Sequence, residues 1–214
     1  MLALLSFTLL SLQQGDVIAQ RLAGRVSPNV AAVVEQLGDS AARRGLPVDP
    51  LIQKAIEGAA KAVPDDRITV AVRVVAMQLD TAALALRDGG ALGTDTLAVA
   101  AGAFAMTAGL SAADITALAR VGANPHDLTI GLRVAGTLAA MGVPQAEDIG
   151  LVSVTLRSGK AAADLLQLPA NVQSAVARGM TPAAAASGLS RAAAAQARHG
   201  PPPGHGQPRP HTHP

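Results

Sequence analysis

Cysteine, tryptophan and tyrosine are absent from this 214-residue chain, and Phe7 and Phe104 are its only aromatic rings. Without cysteine there are no disulfides, no thiolate nucleophiles and no cysteine-ligated zinc or iron-sulfur centres. With two rings, the core must be filled by Ala, Leu, Val and Ile, which let helices approach closely but bury little area each. An excess of one charge is missing too. Seventeen Lys and Arg against fifteen Asp and Glu leave +2 at neutral pH, although the pI is 9.7. The basic residues are scattered singly apart from Arg43-Arg44, with no aromatic partners on which bases could stack. This composition argues against nucleic acid as a partner.

What is present begins with an apolar run, Met1 to Leu12, followed by polar Gln13-Gln14-Gly15-Asp16 and then Val17-Ile18-Ala19. That order matches a signal peptide over residues 1–19, cleaved after Ala19 to leave Gln20 first, and implies export to the periplasm or beyond the cell. It departs from the pattern in having no Lys or Arg at its start. A buried first helix and an uncleaved membrane anchor are the competing readings, although a span needs about 20 apolar residues and this run is shorter. At the other end, residues 200–214 are mostly Pro, Gly and His, a composition expected to form a disordered tail. His199, His205, His211 and His213 lie there or at its edge. Together they are the chain's one candidate divalent-metal site: neutral imidazoles bind Zn²⁺, Ni²⁺ or Cu²⁺, with no fixed scaffold to set a geometry.

Between the ends, residues 20–199 show helical periodicity and almost no strand alternation, so the expectation is an all-α domain. A short phrase recurs: glycine, an apolar residue, a small residue or proline, two loose positions, an acid and an aliphatic. It reads Gly109-Leu110-Ser111-Ala112-Ala113-Asp114-Ile115 and Gly142-Val143-Pro144-Gln145-Ala146-Glu147-Asp148-Ile149, with weaker copies from Gly45, Gly122, Gly159 and Gly179. Each copy is a helix stop joined to a helix start. The expected helices run from Pro28 to Arg44, from Asp49 to about Val63 and from Asp65 to Arg87. Shorter segments follow over 95–108, 112–121, 125–141, 145–158, 161–168, 170–178 and 182–198. Gly89, Gly90 and Gly93, before a Thr94 cap, mark a possible hinge over 88–94. The result is a compact bundle or short solenoid of about nine to ten helices. Both the third helix and the segment 125–141 carry two apolar rows, so both are expected in the middle, covered on two sides.

The residues offer little for catalysis. Only His126 is a body histidine, and its place after Asn124-Pro125 is a solvated first turn. Ser158-Gly159 and Ser187-Gly188 lack the frame of a nucleophile elbow, and Gly159-Lys160 lacks that of a phosphate-binding loop. The pairs Asp65-Asp66 and Glu147-Asp148 read as first-turn acids that complement the helix dipole. No cofactor is implied, and the expected role is that of a non-enzymatic scaffold or protein-binding module. The alternatives are metal buffering by the histidine tail and a membrane-anchored helical protein.

One longer stretch, from Gly45-Leu46-Pro47-Val48-Asp49-Pro50 through Glu57-Gly58-Ala59-Ala60-Lys61 to Asp65-Asp66-Arg67-Ile68, resembles a segment of uncharacterised, alanine-rich exported proteins of high-GC bacteria. The resemblance implies export and brings no activity, ligand or site residue with it.

Overall fold

The recurring phrase has a conformational cause at its first two positions. Gly109 and Gly142 take left-handed backbone (φ 111° and 81°), a region that costs a residue with a Cβ about 1 kcal/mol or more. The Gly109 N–H donates to the Met106 carbonyl and the Leu110 N–H to the Ala105 carbonyl, with the same pair at Gly142 and Val143. These bonds satisfy the last carbonyls of the helix, and the apolar residue after the glycine folds back into the core. Leu110 and Val143 are buried accordingly. Gly45 with Leu46 and Gly179 with Met180 repeat the bonding. The Gly159 copy lies outside the described residues.

In the computed structural model, residues 17–158 and 162–199 are described, and among them there is helix but no strand. Helical backbone over 17–22 precedes α1 (Pro28–Arg43), α2 (Asp49–Ala60), α3 (Asp65–Asp88), α4 (Thr96–Thr107) and α5 (Ala112–Ala119). Then follow α6 (Pro125–Ala140), α7 (Gln145–Arg157), α8 (Ala162–Ala177) and α9 (Pro182–His199). The chain is an all-α bundle of the expected size. Every extensive contact joins a helix to its first or second neighbour in order, so the bundle is assembled by stacking. α3 touches α1, α2, α4 and α5, α6 touches α4, α5, α7 and α8, and α4 links these two hubs.

Side-chain caps open most helices. Ser27 Oγ accepts from the Val30 N–H, Ser111 and Asp114 form a reciprocal capping box, and Asn124 accepts from the Asp127 N–H. The α4 cap is Asp95, whose carboxylate accepts from Leu97 and Ala98, so the cap falls one residue beyond Thr94. A second difference is α8, one continuous helix where two segments were expected around Pro169. Proline removes one helix bond at a cost of about 3 kcal/mol. Leu165, Leu168, Val172 and Ala175 form one buried row across it, and their packing offsets that loss.

Glycine replaces aromatic bulk at the helix crossings. A Cβ on Gly136 of α6 would stand 2.7 Å from the Phe104 ring and 2.9 Å from the Ala105 Cα of α4. One on Gly131 would meet Leu156 of α7 at 3.1 Å, and one on Gly102 of α4 would meet Ala82 of α3 at 3.1 Å. The row Ile68, Val72, Leu79, Ala82 and Leu86 of α3 is buried as expected. Its second row is not: Val70 and Met77 are 61% and 63% exposed, and Val74 is exposed as well. By length and composition α3 could cross a bilayer, but its buried row serves the helical core.

Candidate functional site

Four helices enclose a cleft of about 800 Å³. From α2 come Pro50, Gln53, Lys54 and Glu57, whose spacing of three or four places them on one helix face. α3 supplies Val75 to the floor, α4 supplies Ala100, Ala101, Ala103, Phe104 and Thr107, and α6 adds Arg133 and Thr137. The Phe104 ring rests on Gly136 yet is 48% exposed, so it forms an apolar ridge in the cleft.

The polar rim is mostly committed. Glu57 accepts from Lys61 Nζ at 2.5 Å and from Lys54 Nζ at 3.4 Å. The Lys61 bond first, and then the Lys54 charge, hold its carboxyl below the usual range. Thr107 Oγ1 donates to Gln78 Oε1 or the Ala103 carbonyl, and Thr137 Oγ1 to the Arg133 carbonyl. The Arg133 guanidinium has no hydrogen-bond or ion-pair partner among the described residues. Lys54 and Arg133 against Glu57 leave the cleft with one excess positive charge. The amino-acid pattern gave no sign of this site, because its walls come from three separate segments of ordinary surface composition.

A second unusual place lies at the start of α7. Asp148 is completely buried, and neither carboxylate oxygen has a hydrogen-bond partner in the described structure. Burial, and then the nearby Asp114 carboxylate, push its pKa up to about 7. Asp114 is itself held from three sides: the Ser111 N–H at 2.7 Å, the Ser111 hydroxyl at 2.6 Å and the Gln145 side-chain amide. Glu147-Asp148 does occupy a helix first turn, as expected, but Asp148 is not a solvated acid there. Its spacing of three and four from Leu151 and Val152, both buried, was the available signal that it faces inward.

The other expected sites remain apart from both places. His126 is exposed in the first turn of α6. His199 ends α9, while His205, His211 and His213 lie outside the described residues. Among the described residues no three His, Cys, Asp or Glu side chains gather where they could hold a metal ion. Asp80 of α3 pairs with Arg44 at 2.6 Å and ties α3 to the end of α1.

No family model, curated protein or solved structure matches the chain. The cleft and the buried acid are therefore the features that bear on function.

Proposed function

We propose that this chain is an exported, non-enzymatic helical binding module whose protein partner docks in the cleft between α2, α4 and α6. The observation that carries this reading is the apolar floor beside the half-exposed Phe104, bordered by the uncommitted cation Arg133. Such a surface gains when a partner excludes water from it, and Arg133 gains a counter-charge. Its chemistry suits binding better than turnover. Glu57 is held ionised by two lysines, the threonine hydroxyls donate to carbonyl oxygens, and the lining contains no histidine to move a proton. The export component rests on the order of residues 1–19 and on the resemblance of residues 45–68.

Because the chain contains no cysteine, one introduced thiol reports the cleft without background. Gln53→Cys, on the exposed rim, is expected to react more slowly with a maleimide in native extract than in purified protein. Gln173→Cys, exposed on α8, should react equally in both. Equal reactivity of the residue-53 thiol in the two samples rejects the cleft as the binding face.

One observation favours a second reading, in which the N-terminal segment is retained and its end packs as a buried first helix. Ile18 and Leu22 are buried, and Ile18 reaches within 2.8 Å of where a Gly38 Cβ would stand. Cleavage after Ala19 keeps Leu22 and the Arg21–Asp49 ion pair but removes Ile18 from the core. Mass spectrometry of the N-terminus separates the readings. A chain starting at Gln20 establishes cleavage, and one retaining Met1 establishes the uncleaved form.

A further inference from the structure

We infer that the occupant of the cleft is an amphipathic helix of a partner protein, with acidic residues flanking its apolar stripe. This rests on the reading of the cleft as a docking site and adds the shape and charge of what docks. Shape follows from hydrogen bonding. The floor is Ala, Val and Phe, and the two threonine hydroxyls are already donating to oxygens of this chain. An extended segment laid there would find polar partners only on the rim, at Gln53, Arg133 and the threonine oxygens, and each N–H or C=O buried on the Ala and Val floor without one would cost about 1–3 kcal/mol. A helix satisfies its own backbone and presents only side chains.

A lipid acyl chain would also match the apolar floor, but small-molecule sites bury most of their ligand. A cleft in which Phe104 is 48% exposed leaves one side open. A helix tolerates that arrangement, since its polar face belongs in water. Charge gives the remaining specification. Arg133 is unpaired, Lys54 shares Glu57 with Lys61, and the lining carries net positive charge. Glutamate or aspartate beside the apolar stripe complements it, whereas a basic helix is repelled.

The test is a titration of the isotope-labelled full chain, followed by NMR, with three probes. These are an 18-residue peptide with a leucine-alanine stripe flanked by glutamates, the same peptide with lysine at those flanks, and palmitate. The glutamate peptide is expected to bind at least about tenfold more tightly than the lysine peptide, the factor that one close charge contact commonly supplies. Its shifts should centre on residues 53, 54, 104 and 133. R133E, at an exposed position, should abolish or reverse the preference while the rest of the spectrum is unchanged. Equal affinity of the two peptides, shifts centred elsewhere, or cleft binding by palmitate alone overturns the inference. If the residue-53 thiol is protected in extract and no peptide binds, the amphipathic-helix inference fails and the binding-module reading stands. If the thiol is unprotected as well, both fail.

Discussion

In α3 the second apolar row, Val70, Val74 and Met77, faces solvent, whereas in α6 the second row, Ile130, Val134, Leu138 and Met141, lies wholly or partly under neighbouring helices. Both helices are hubs, and both carry two aliphatic rows. The difference lies in glycine. α6 contains Gly131 and Gly136, where α7 and α4 come within a Cβ of its backbone, while α3 contains none. Contacts on α3 occur where the neighbour supplies the small residue, as at Gly102 of α4 against Ala82 and Gly58 of α2 against Ile68. In a chain almost without aromatic rings, an apolar row becomes a helix interface where small residues admit a neighbour's side chains or backbone.

The largest expected effect loosens the cover over α6 through α7. In the unfolded chain the Asp148 carboxyl ionises near pH 4, and in the folded protein at about 7. Between those values the unfolded state releases its proton first, so stability falls as pH rises from about 4 to about 7 and is level above that. The linkage has an upper bound of about 4 kcal/mol. Chemical denaturation at several pH values should show this fall, and Asp148→Asn should remove most of it and raise stability at pH 8. A wild-type curve without that slope means that Asp148 is solvated.

Next in size, Gly136→Ala places a methyl against the Ala105 Cα and should cost about 1–3 kcal/mol. Gly150→Ala in α7, where a Cβ meets nothing within 4 Å, should instead gain about 0.5–1 kcal/mol. Equal melting shifts for the two variants would dissolve the comparison. The junctions leading into the hubs differ in the same way. α6 is entered through Gly122 at φ 75°, but α3 is entered through Ala62 at φ 53°. Thermal melts should therefore show Ala62→Gly gaining about 1 kcal/mol. The smallest effect belongs to the bare row. Met77→Gln should change stability by less than about 0.5 kcal/mol, and a large loss would show that α3 is covered in solution.

Much of this fold was legible because its punctuation is chemical. Gly45, Gly109 and Gly142 end helices, and Ser27, Ser111 and Asn124 begin them, for reasons carried by single residues. Continuity through Pro169 was hidden, since it depends on what Leu165 and Val172 meet in other helices. The bare side of α3 was hidden for the same reason: periodicity marks a row as apolar and cannot say whether a neighbour can reach it. For the cleft, Gln53, Phe104 and Arg133 lie far apart in the chain and acquire meaning only when α4 joins α3 to α6. Asp148 was readable in principle from its spacing to Leu151, but with its acidic neighbour Glu147 it read as a first-turn acid complementing the helix dipole.

Two apolar surfaces therefore compete for the role of binding face, Phe104 in the cleft and Met77 on the bare row of α3. The direct measurement is site-specific photocrosslinking in cells, with a photoreactive residue at 104 in one sample and at 77 in another. The account predicts a protein adduct of defined mass from position 104, lost in an R133E background, and none from position 77. An adduct from 77 and none from 104 would place the binding face on the outer row of α3 and contradict it.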